Sequence, residues 1–235
     1  MNQEARVIVA LDFDDADKAM ALVDQLDPAA CKLKVGKEMF TLFGPEFVKS
    51  LIAKGFDIFL DLKFHDIPNT VAKACKAAAE MGVWMVNVHA SGGMEMMKAA
   101  KNAIAGSSHP QTKLIAVTVL TSMDQAQLND VVPEVSPAEQ VKKLAQLTAD
   151  SGLDGVVCSG MELDLLRREL GDDFCLVTPG IRLDDSNKDD QKRTMTPYNA
   201  VKAGSSYLVI GRPITCSSNP ADILHTINES ISSLD

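Results

Sequence analysis

The sequence predicts an α/β fold, a single (β/α)8 TIM barrel occupying residues 1–235. Three observations carry the prediction. Short β-branched runs alternate with longer amphipathic stretches from one end of the chain to the other, the signature of repeated βα units. Eight such units are present, the number that closes a parallel barrel. No linker or low-complexity stretch breaks the alternation, and 235 residues accommodate one barrel, although two small domains would also fit that length.

The strands follow in order. The first, at 6–11, is an apolar run that ends at Asp12, and the second, at 32–35, ends with Lys34 just before Val35-Gly36. The third, at 56–63, is the longest. The fourth and fifth, at 85–89 and 114–119, are again β-branched runs, and 155–158, 175–178 and 207–210 complete the set. A helical pattern follows each. In the third helix Asn69 and Thr70 are expected to cap the start, Lys76 and Glu80 to pair at i,i+4, and Gly82 to follow the end. The rival fold is an open doubly wound sheet, but neither a G-x-G-x-x-G pattern nor a P-loop follows the first strand.

Composition narrows the function. With 46% hydrophobic and 23% charged residues the chain reads as soluble and globular. Lys and Arg total 23 against 32 for Asp and Glu, and no basic patch stands out, so nucleic acid is not an expected partner. An anionic ligand must then be held by a few locally placed donors. Five cysteines without a C-x-x-C pair argue against a disulfide framework and a structural zinc site, and read as buried reduced thiols. The N-terminus has no basic-then-apolar leader and no apolar run approaches membrane-spanning length, so a cytoplasmic protein is expected.

In such a barrel the functional groups sit at the carboxyl ends of the strands. The third strand is the most telling. Alternation puts Phe56, Ile58, Leu60, Leu62 and Phe64 on one apolar face beneath the helices, leaving Asp57, Phe59, Asp61 and Lys63 inward. An inward carboxylate and ammonium two residues apart are costly to desolvate unless paired, which marks a site or an ion pair plugging the barrel end. Asp12 and Lys34 bring two more charges to the same mouth. Asp66 differs in parity from Asp61 and Lys63, and two routes stay open for it: folding back, or reaching a neighbouring subunit.

Phosphate handling is expected after strands seven and eight, where Thr178-Pro179-Gly180-Ile181-Arg182 and Gly211-Arg212-Pro213 combine backbone glycine with an arginine fork. The polar stretch between them, from Leu183 to Met195, reads as a surface loop or as a lid closing on phosphate. His65 and His89 lie near strand ends without metal-ligand spacing and are assigned structural or supporting roles; Trp84, Met94, Met96 and Met97 read as core packing.

Taken together, these pieces make the chain resemble the orotidine 5'-phosphate decarboxylase family in its bacterial type. The match runs through Val9-Ala10-Leu11-Asp12, Lys34-Val35-Gly36, the string from Asp61 to Thr70, Val117-Thr118-Val119-Leu120-Thr121-Ser122, Pro179-Gly180-Ile181-Arg182, Gln191 and Gly211-Arg212-Pro213. The resemblance implies decarboxylation of orotidine 5'-phosphate to UMP without metal or other cofactor. It implies Lys63 as catalytic acid, flanked by Asp61, Lys34 and an Asp66 lent by the partner in a homodimer. By the same resemblance Asp12 and Lys34 hold ribose hydroxyls, Thr121 and Ser122 meet the pyrimidine, and Thr70 crosses the interface. Pro179, Arg182, Gln191, Gly211 and Arg212 fall at the phosphate end. Three rivals are kept: a magnesium-dependent keto-gulonate phosphate decarboxylase, which expects an acid where Lys34 stands; a Schiff-base aldolase on Lys63; and a non-catalytic phosphate-ligand sensor.

Overall fold

A computed structural model describes residues 4–183 and 194–234. Eight parallel strands close on themselves in sequence order: β1 (Val7–Leu11), β2 (Lys32–Gly36), β3 (Ile58–Phe64), β4 (Met85–His89), β5 (Lys113–Val117), β6 (Gly155–Val157), β7 (Cys175–Thr178) and β8 (Tyr207–Ile210). The closing seam pairs Val7 with Leu208 and Val9 with Ile210. The expected barrel is therefore the observed one, and the strand bounds differ from expectation by a residue or two at the ends.

Period-two alternation sorts the strand side chains into two apolar sets. Ile8, Ala10, Phe59, Met85, Ile115, Val177 and Val209 fill the barrel interior. Their neighbours in sequence, such as Val7, Val9, Ile58, Leu60 and Leu176, pack outward against the helices. Met96 and Met97 join that outer layer, as expected.

Three local expectations are corrected. The third helix is Pro68–Glu80, with Ile67 at its N-cap and no side-chain cap; Pro68 takes the first turn, where its missing N–H costs nothing, so Asn69 and Thr70 lie inside the helix. Glu80 accepts from the Ser108 N–H at 3.2 Å and from the Ser108 hydroxyl, in place of an ion pair with Lys76. Of the cysteines, Cys31, Cys75, Cys158 and Cys175 are buried but Cys216 is exposed. Burial pushes the Cys31 thiol up to about 12 and that of Cys175 to about 11, which keeps both protonated.

The two ends of the barrel differ in chemistry. At the amino ends of the strands Lys32 is buried beneath Trp84, its ammonium 4.4 Å from the ring centroid, and pairs with Asp57 at 2.7 Å and Glu4 at 3.3 Å. Trp84 meets Tyr207 edge-on at 4.9 Å, and the Tyr207 hydroxyl donates to Glu4 at 2.8 Å. Trp84 is thus more than filler: it stacks on a buried cation that seals the barrel floor. The inward Asp57 belongs to this floor, whereas Asp61 and Lys63, further along the same strand, reach the mouth.

Candidate active site

At the carboxyl ends of the strands lies a cavity of about 540 Å³, within the range of small-molecule sites. Alternating charges cross its β1–β3 side. Lys34 contacts Asp12 at 3.2 Å and Asp61 at 3.6 Å, and Asp61 contacts Lys63 at 2.5 Å. Lys34 is 8% exposed, so its ammonium depends on those two carboxylates in place of water. Gly36 makes room for it, since a Cβ there would sit 3.2 Å from the Lys34 Nζ.

Asp61 is the hub. Burial alone would raise its pKa, but the ammoniums of Lys34 and Lys63 and hydrogen bonds from Lys63 and Asn87 outweigh burial and hold the carboxyl below its usual range. It is a fixed anion with a cation on either side. Asn87, fully buried in β4, donates to Asp61 Oδ1 at 2.7 Å and accepts the Lys63 backbone N–H at 2.7 Å.

The far side of the cavity is built from β5, β7 and β8. Val117, Val119 and Leu120 give an apolar wall, followed by Thr121 and Ser122 on the loop after β5. Pro179, Gly180 and Arg182 follow β7, with Gly180 at φ 78, a conformation that favours glycine. Arg182 is 9% exposed. Gly211 and Arg212 follow β8, where a short helix, Arg212–Thr215, begins. The Arg182 N–H donates to the Met195 carbonyl at 3.0 Å, so the chain on both sides of residues 184–193 is tied to this rim. Among the described residues four cations and two carboxylates line the cavity, an excess of positive charge in a chain of net charge −9. The site is fitted to an anionic ligand.

Ten of the residues singled out in the sequence line this one cavity: Asp12, Lys34, Asp61, Lys63, Thr121, Ser122, Pro179, Arg182, Gly211 and Arg212. Asp66 and Thr70 do not. Both are exposed, and the Asp66 carboxylate accepts the Ile67 N–H at 2.6 Å. Gln191, and with it most of the expected lid, lies outside the described residues. His89 and His65 stack at 5.5 Å beside Lys63; burial, followed by the nearby His65, Lys37 and Lys63 charges, pushes His89 down to about 4. Among the described residues no group of three His, Cys, Asp or Glu side chains is placed to hold a metal ion. Asn87 and Phe59 were not singled out as functional; the available signal for Asn87 was an amide at an inward position of an apolar strand.

Fold and site together define a (β/α)8-barrel protein whose mouth sets an arginine rim opposite a buried lysine–aspartate network. Residues 5–227 match the model of the Orotidine 5'-phosphate decarboxylase / HUMPS family, and the chain belongs to that family. It is 60% identical over 229 residues to the orotidine 5'-phosphate decarboxylase of Tolumonas auensis, covering 97% of this chain and 99% of that one. The protein of the same name from Vibrio campbellii is 59% identical over 231 residues, with 98% and 99% covered. Among solved structures, orotidine 5'-phosphate decarboxylase from Lactobacillus acidophilus superposes with a TM-score of 0.86 at 42% identity, covering 97% of this chain and 99% of that one.

Proposed function

We propose that the protein decarboxylates orotidine 5'-phosphate to UMP, the last step of de novo pyrimidine nucleotide synthesis, in the cytoplasm and without metal or organic cofactor. The observation that carries this reading is the Lys63 ammonium, held by Asp61 inside a cavity whose opposite rim carries Arg182 and Arg212. The relatives' shared name points the same way.

Breaking the bond from C6 to the carboxylate releases CO₂ and leaves the electron pair on C6, with no adjacent carbonyl to delocalise it. Lys63 faces that carbon as a fixed cation and then gives it a proton, becoming neutral until solvent recharges it. A unit charge pair at about 4 Å is worth roughly 4 kcal/mol at an effective dielectric near 20, about a thousandfold in rate. The rest comes from preorganisation: Asp12, Lys34, Asp61 and Lys63 hold one another before substrate arrives, so little reorganisation accompanies reaction. Asp61, a buried anion beside the leaving carboxylate, adds repulsion that is relieved as CO₂ departs.

Asp12 and Lys34 meet the ribose, Thr121 and Ser122 the pyrimidine, and Pro179, Arg182, Gly211 and Arg212, with Gln191 from the lid, the phosphate. Asp66 and Thr70 complete the site of a second copy in a homodimer. Their exposure, beside an Ile67 that is 66% exposed, supports a role across an interface. Magnesium chemistry is the less favoured reading, because the Lys34 ammonium occupies the space between Asp12 and Asp61 where a cation would sit.

The test is turnover of orotidine 5'-phosphate, followed by its loss of absorbance with EDTA present. Wild-type protein turns over, and Lys63→Ala loses nearly all turnover while still binding UMP. Substantial activity in Lys63→Ala would remove that residue from its role.

A further inference from the structure

The β3–β4 pairing is irregular where the site begins. Leu60 pairs with Val86, but the next pair is Phe64 with Val88, so Asp61, Leu62 and Lys63 all stand opposite Asn87. Lys63 takes φ 53, a left-handed conformation that a lysine adopts only when its surroundings impose it. Its N–H, lifted out of the ladder, ends on the Asn87 side-chain carbonyl at 2.7 Å, while the Asn87 amide nitrogen donates to Asp61 Oδ1 at 2.7 Å.

We infer that Asn87 is a positioning residue for the reaction proposed above: one planar amide sets both the backbone that aims Lys63 and the carboxylate that flanks it. The inference rests on that reading of the function. Asn87 does not line the cavity, so it acts through its two neighbours. The task needs an acceptor and a donor on one short rigid group, which asparagine supplies, leucine lacks entirely and aspartate supplies only when protonated. Asp61 Oδ1 receives both Asn87 Nδ2 and Lys63 Nζ, while Oδ2 faces Lys34. Once Lys63 has given up its proton its hold on Asp61 weakens, and the Asn87 amide keeps the carboxylate aimed until the lysine recharges.

The experiment compares wild type with Asn87→Leu and Asn87→Asp, measuring kcat, UMP affinity and its pH dependence, and folded fraction. Asn87→Leu is expected to lower kcat about 100-fold, the cost of a misplaced reacting group, with UMP affinity per folded molecule held within about threefold. Asn87→Asp keeps the acceptor for Lys63, so it remains foldable if the leucine variant does not. Its carboxyl faces Asp61 and Lys63 from β3, with Lys34 of β2 held by the same Asp61, His89 two residues on along β4 in ring contact with His65, and uncharged Ile115 paired with it on β5. It donates to Asp61 only when protonated, so kcat of this variant rises relative to wild type as pH falls below neutrality. Wild-type kcat in both variants, an Asn87→Asp profile parallel to wild type, or kcat and UMP affinity falling together with folded fraction would each overturn the inference. A wild-type protein without turnover overturns instead the functional reading beneath it, and is told apart because it shows before any variant is made.

Discussion

Strand β2 carries two inward lysines two residues apart, and Lys32→Ala separates their roles. Lys32 sits under Trp84 and between Asp57 and Glu4 on the floor; Lys34 sits between Asp12 and Asp61 at the mouth. Truncating Lys32 removes a desolvated cation–π contact of about 2 kcal/mol. It also removes two ion pairs with half-exposed acids, which contribute at most about 1 kcal/mol each, and the packing of a buried stem worth about 1–2 kcal/mol. The freed carboxylates reach water, which offsets part of this, so the net loss is about 3 kcal/mol. For a chain of this size that lowers the Tm by about 8 °C. Scanning calorimetry or a melt followed by circular dichroism reads the shift, and kcat per folded molecule is expected to stay at the wild-type value. Lys32→Met, which keeps the stem, should lose about half as much. The reasoning fails if Lys32→Ala melts with wild type, or if it abolishes turnover with the Tm unchanged.

Two further outcomes are expected. His89 has its pKa lowered from 6.5 to about 4 in the folded state, so the unfolded chain binds the extra proton between those values and stability falls as pH drops from about 6.5 towards 4. Denaturation series for His89→Asn should show a flatter decline across that window, and an unchanged slope would contradict the assignment. Mixing Lys63→Ala subunits with Asp66→Asn subunits should give hybrid dimers with one intact site and restore part of the turnover that each variant lacks alone; mixtures as inactive as their components argue against a donated Asp66.

The barrel was legible because period-two strands and period-3.6 helices repeat eight times, and because closure leaves few other ways to bury both faces of parallel strands. The charged mouth was legible for the same reason: alternation alone separates Asp61 and Lys63 from Leu60 and Leu62. Parity did not reveal the irregularity beneath it. Lys63 reaches the cavity from a left-handed backbone, and nothing local in Leu62-Lys63-Phe64 announces that conformation, which depends on Asn87 from the next strand. Order along β2 did separate Lys34, near the carboxyl end, from Lys32 at the start, but nothing in the sequence announced that Lys32 would be buried beneath Trp84. The capping misread at Asn69 and Thr70 has a simpler cause: Pro68 can open a helix without a side-chain cap, which shifts the start forward.

The closing seam has a consequence for biogenesis. Asp12 follows the first strand and Gly211 the last, yet across the seam a Cβ on Gly211 would lie 3.8 Å from the Asp12 carboxylate. The Lys34–Asp61–Lys63 network belongs to the early part of the chain, while both arginines of the rim arrive near its end. A ribosome-bound fragment lacking β8 therefore carries Lys63 and Arg182 but not Arg212, and ring closure is the event that completes the rim. On the function proposed above, turnover requires completed synthesis, and a proteolytic cut that frees the last strand is expected to abolish it without touching the early residues.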